Sequence, residues 1–273
     1  MIEIPVGRYI EIGIEWMNAN LAPFFGAIST GTSAAIDFFE SILQAPPSWL
    51  MLLFVAALAW RLAGYRVALF CAVGLFLVDG MGMWPQTMQT LALVLSATVI
   101  AVTIGIPLGV WAARSDIVSR IVRPILDFMQ TMPAFVYLIP AVLFFRLGQV
   151  PGVIATVIFS MPPVVRMTNF GIRGVSEEAV EAGRAFGATD SELLFKVQLP
   201  LATPTILAGV NQTIMLALSM VVIAAMIGAG GLGQEVLKGI EQLRIDLGFE
   251  SGLAVVILAI VIDRITQSLG KRR

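Results

Sequence analysis

Three glycines, Gly228, Gly230 and Gly233, have the G-x-G-x-x-G spacing that cradles dinucleotide phosphates. That chemistry needs a preceding strand and a βαβ unit. Here the glycines follow a long apolar run, so the spacing reads as a tight turn into a short outer helix at about 233–243. No Walker A sequence exists: Gly270-Lys271 is followed by Arg and lacks the upstream Gly. There is no histidine and only one cysteine, Cys71. Histidine catalysis, most transition-metal sites and an internal disulfide are therefore excluded. Asp79 and Asp263 are the acids nearest the apolar runs, both at run ends, where interfacial placement is cheap. Asn211, Gln212, Met215, Ser219 and Met220 make one apolar run more polar than its neighbours. A helix with an Asn-Gln pair should turn it toward protein or water, which makes these five candidates to line a translocation path. Trp84, Phe135 and Tyr137 have the chemistry for cation–π contact with a quaternary ammonium, or for interface anchoring.

The elements that must carry these residues are membrane helices. Of 273 residues, 58% are hydrophobic and 13% charged, and mean hydropathy is +0.91. A soluble domain carries about a quarter charged residues, so this is an integral membrane protein. The net charge of −1 gives no basic surface for nucleic acid. Glu3, Glu11 and Glu15 against Arg8 reverse the charge of a secretory leader, and none is expected.

Apolar runs at 49–60, 67–78, 88–113, 134–147, 153–167, 205–227 and 252–262 predict seven spans in an all-α fold. The first two could instead form one hairpin that does not fully cross. The positive-inside rule orients the chain. With the 176–200 loop in the cytoplasm, 13 of the 17 basic residues fall inside, leaving Arg8, Arg146, Lys238 and Arg244 outside. The amino terminus is then expected outside and the carboxyl terminus in the cytoplasm. Upstream, Ile36, Phe39 and Leu43, with Phe38 and Ile42, recur at helical spacing and predict an amphipathic helix within 14–44. Pro46 and Pro47 break it. The expected organisation is a scaffold region at 1–47, an accessory hairpin at 48–85 and a five-span core at 86–267. Pro107, Pro133, Pro140, Pro162 and Pro163 interrupt the core as kinks or as backbone opened to a cavity.

Between two long apolar runs lies a polar segment, EAVEAGRAFGATDSELLFKVQLP at 178–200. Ser176 can cap a helix whose first turn holds Glu177 and Glu178. Gly187 suits a turn. Thr189 and Glu192 have capping-box spacing, so a second short helix should start there. Leu193, Leu194 and Val197 give that helix an apolar edge, and Pro200 should stop it. These residues read as a helical hairpin on one face of a membrane protein, fit to dock a soluble partner, or as an ordinary solvated loop between spans.

Glu181-Ala182-Gly183, Gly187 and Val197-x-Leu199-Pro200 resemble the EAA loop of ABC-importer permeases (type I), with Gly183 for the third Ala and Val197 for Ile. The runs at 195–240, 88–109 and 130–142 are similar to permeases of the glycine betaine/proline/choline osmoprotectant branch. The resemblance implies a bacterial plasma-membrane permease that works as a homodimer. Two cytoplasmic ATPase subunits would dock on the hairpin, through Glu181 and an apolar knob of Leu193 and Leu194. An external substrate-binding protein would deliver solute. ATP and Mg would bind the ATPase, no cofactor or metal this chain, and the chain would not be an enzyme. An ion-coupled secondary transporter is the alternative, but it would need mid-membrane carboxylates or a cation site. A membrane enzyme would need a nucleophile and base within reach.

Overall fold

The computed structural model describes residues 6–271; Glu3, Arg272 and Arg273 lie outside them. The described residues form helices and connecting turns. Helix α1 (Val6–Asn20) leads into α2 (Ala22–Gln44). The predicted periodicity holds in α2: Ile36 and Leu43 are buried while Phe38 and Ile42 are exposed. The buried face packs on α5 (Trp84–Arg114), and Pro46 and Pro47 mark a 98° bend between α2 and α3 (Ser48–Ala63).

Helix α3 and α4 (Tyr65–Gly80) have 16 residues each and turn at Gly64. At 1.5 Å per residue each is about 24 Å long, short of the ~30 Å hydrocarbon core. Ser48 Oγ donates to Asp79 Oδ2 at 3.1 Å where the two open ends meet. Residues 48–80 thus fold as a helical hairpin with arms shorter than a full span.

A second difference concerns 134–147. Helix α6 (Asp116–Thr131) ends at Met132-Pro133, and a 3₁₀ turn (Ala134–Tyr137) leads into α7 (Leu138–Phe145). The two arms bend by 109°. Pro133 lacks an N–H and holds its predecessor extended, which ends α6. By length and composition, four helices can cross a membrane, or up to six if each bent pair is one span, against the seven expected. The four are α5, α8 (Gln149–Arg173), the continuous stretch Asp190–Ile227, and α13 (Ile245–Lys271). Pro107, Pro162 and Pro163 lie inside unbroken helices.

The core is α5, α8 and α11 (Leu199–Ala224), with α13 against α11. Small residues let these helices meet closely. A Cβ on Gly109 would lie 2.6 Å from Thr168 Cβ, and one on Gly209 2.6 Å from Met167 Cβ. Without a hydrophobic force between helices in lipid, such close backbone contact drives association.

Candidate coupling hairpin and translocation face

Residues 176–200 begin as predicted. Ser176 Oγ accepts the N–H of Ala179 at 3.4 Å and starts α9 (Glu177–Ala185). Gly187 makes the turn at φ +80°, its N–H donating to Arg184 O at 2.9 Å. Thr189 then opens a one-turn helix, α10 (Asp190–Glu192). Its hydroxyl accepts the Glu192 N–H at 3.3 Å, and Glu192 Oε2 accepts the Thr189 N–H at 3.1 Å. Lys196 pairs with Glu192 at 2.8 Å. These contacts, Lys196 first and Thr189 second, lower the Glu192 carboxyl to about 2.

The second helix departs from expectation in two ways. Pro200 does not stop it. Residues Leu193–Gln198 form a π-turn, the Leu199 N–H donates to Leu194 O, and the helix runs on as α11. Pro200 falls in the first turn after this wider turn, where its missing N–H breaks no bond. The second arm of the hairpin is therefore continuous with a membrane helix. Secondly, Leu193 and Leu194 are no exposed knob; each is 3% exposed. Leu194 packs with Ile172, Ala202 and Ile206. Leu193 lies under α9, where a Cβ on Gly183 would come within 2.7 Å of its Cδ1. The pair ties the hairpin to the bundle because the π-turn rotates them inward. Val197 and Leu199 are half-buried beside them.

The outward surface carries Glu181, Ala182 and, at 93% exposure, Phe186. Sequence reasoning passed over Phe186; an aromatic beside a turn glycine in a polar loop was the available signal.

The five candidate path residues divide. Asn211 Nδ2 donates to Asp263 Oδ1 at 3.3 Å, and Thr266 Oγ1 donates to Asn211 Oδ1, so this amide is engaged by α13. Met220 is fully buried. Gln212 and Ser219 are exposed with Met215 half-buried beside them, on one stripe of α11 that leads up from the hairpin. Nor do the three aromatics gather into a cage. Trp84 packs with Leu43 and Met51, Tyr137 with Leu138 and Met220, and Phe135 is exposed.

Between α6 and α8 runs a ladder of charges that the sequence did not reveal. Asp116 pairs with Arg173 at 2.7 Å and Asp127 with Arg166 at 2.5 Å. An arginine at the end of an apolar run was the visible signal; its partner, 39 residues earlier, was not.

The glycine run is likewise accounted for. Gly228, Gly230 and Gly231 all have positive φ and lead into α12 (Gly231–Glu241). The first N–H groups of α12, those a phosphate would need, are taken by side chains of α5.

The sequence profile of binding-protein-dependent transport system inner membrane components matches residues 105–273. The chain is 52% identical over 266 residues to the glycine betaine transport system permease protein OpuAB of Bacillus subtilis, spanning 97% of this chain and 94% of that one. It belongs to the binding-protein-dependent transport permeases. Over 268 residues the permease is 47% identical to the glycine betaine/proline betaine transport system permease protein ProW of Escherichia coli, with 98% and 76% covered. Over 67% of this chain and 91% of that one, its fold is similar to that of the inward-facing MetNI methionine ABC transporter (TM-score 0.62, 22% identity).

The permease is thus a multi-pass inner-membrane component of an ATP-driven importer, not an enzyme, and the secondary-transporter alternative falls away. Membership implies that a substrate-binding protein and an ATPase are separate partners.

Proposed function

We propose that the permease imports a quaternary-amine compatible solute of the glycine betaine or proline betaine kind. Two copies form the translocation path, two cytoplasmic ATPase subunits dock on their hairpins, and an external binding protein delivers the solute. The amino terminus is outside and the carboxyl terminus in the cytoplasm. ATP and Mg belong to the ATPase.

The observation that carries this reading is the two-sided hairpin. Its inner side is fastened by Leu193 and Leu194, and its second arm is continuous with α11. Its outer side offers an exposed aromatic, Phe186, and an exposed carboxylate, Glu181. When ATP closes the two ATPases, the hairpins are drawn together and each carries its α11 with it. The stripe of Gln212, Met215 and Ser219 then moves as part of the path wall. Solute class follows the relatives that are 47–52% identical.

The test is reconstitution with the partner ATPase and binding protein. Labelled glycine betaine should accumulate in an ATP-dependent manner, and the ATPase should co-purify with the permease. No uptake of any quaternary amine, or no ATPase in the purified complex, would contradict it.

A further inference from the structure

Asp127 and Arg166 join α6 to α8 through an ion pair at 2.5 Å. Arg166 lies seven residues before the hairpin end of α8, about 10 Å along a helix at 1.5 Å per residue. That helix is one of the four able to cross the membrane. Charges within a span face protein or a water-filled cavity, pair with one another and mark solute routes. The side chains of this pair remain 40% and 67% exposed, and both line a cavity of about 290 Å³ between α6 and α8. The size sits at the lower end of small-molecule pockets, ~300 Å³ upward.

The lining carries three arginines, Arg123, Arg166 and Arg173, and one carboxylate, Asp127; Arg173 is already paired with Asp116. The Arg166 guanidinium can receive a carboxylate through two parallel N–H donors, and Arg123 in the same wall adds positive charge. The Asp127 carboxylate can receive an ammonium. Phe170, one turn beyond Arg166 and 70% exposed, offers a ring face to a quaternary nitrogen. Leu126 and Val165 supply an apolar wall for methyl groups. The pair is not what anchors the start of α6, because Asp116–Arg173 and the Ser119–Asn169 hydrogen bond already do so.

We propose that the Asp127–Arg166 cavity is a transit site for the zwitterionic solute within the permease. The solute inserts into the ion pair, carboxylate on Arg166 and ammonium on Asp127 and Phe170, so the permease itself prefers zwitterions to simple cations. This rests on the transport reading above and assigns residues to it.

The test uses the permease–ATPase complex in nanodiscs, without binding protein, and measures retention of labelled glycine betaine and labelled choline. Wild type should retain glycine betaine at least about tenfold more tightly than choline, because choline leaves Arg166 unmatched. Arg166→Gln should lose glycine betaine and narrow that ratio, and Asp127→Asn should weaken both ligands. A purely structural pair would move both ligands equally in both variants. Should the variants fail to assemble, the wild-type ratio decides, and equal retention overturns the proposal. Wild-type retention in both variants, or no retention by a complex whose complete system imports glycine betaine, also overturns it. Absence of import by the complete system overturns the transport reading instead.

Discussion

Gln89 Oε1 accepts the backbone N–H of Gly231 at 2.7 Å, joining α5 to the start of α12 across 142 positions. The neighbouring Thr90 hydroxyl accepts the Leu232 N–H at 2.8 Å. Two consecutive residues of a membrane helix thus cap another helix from outside. The cap needs glycine: at φ +69°, a Cβ on Gly231 would lie 2.5 Å from Thr90 Oγ1. What resembles a nucleotide fingerprint is a helix end seated on its neighbour.

Loss of an N-terminal cap costs about 1–2 kcal/mol. Gln89→Leu should therefore lower the thermal unfolding midpoint of the purified permease. Gly231→Ala should lower it further, since it adds both a clash and left-handed strain of about 1–2 kcal/mol. Unchanged midpoints in both variants would contradict the cap.

Asn211 joins α11 to α13 through Asp263 and Thr266. Asn211→Leu should destabilise the permease by about 1 kcal/mol, the net worth of a hydrogen bond between half-buried partners. Gln212→Leu, on the exposed stripe, should instead leave stability unchanged and slow uptake. Thermal unfolding and uptake on the same preparations separate the two effects.

Glu192 ties the hairpin to pH. Its carboxyl is held at about 2 against an ordinary 4.5. A lowered folded-state value means the stabilisation is fully present above about 4.5 and is lost as pH falls through about 2. Protection of the Thr189 amide, corrected for intrinsic exchange, should decline over that window. In Glu192→Leu, which has no acceptor, it should be weak and flat with pH; protection equal to wild type at neutral pH would contradict the capping box.

Phe186 should be the apolar anchor for the ATPase. Truncating a central aromatic anchor costs ≥ ~2 kcal/mol, so Phe186→Ala should weaken ATPase association by at least about tenfold. Leu193→Ala should act differently, lowering the stability of the permease itself. Co-purification and thermal unfolding distinguish them; wild-type ATPase recovery with Phe186→Ala would remove it from the interface.

What could be read in the sequence was local. Ser176, Gly187, Thr189 and Glu192 act within a few residues of themselves, and their positions alone define the start, turn and restart of the hairpin. The inward rotation of Leu193 and Leu194 was not legible, because a π-turn changes which residues share a face without changing composition. Pro200 misled for the same reason: its cost depends on the bond it would have broken. The short helices at 48–80 depend on packing against α5 and α13, and the Asp127–Arg166 pair on α6 folding back over α8. None of these leaves a periodic trace.

The most direct measurement is ATP hydrolysis and labelled glycine betaine uptake by the same proteoliposomes, comparing wild type with Glu181→Lys. Reversing the charge on the exposed face of α9 should leave the permease inserted and hydrolysis continuing, while uptake per ATP falls severalfold or more. Wild-type uptake per ATP in that variant would contradict coupling through this hairpin.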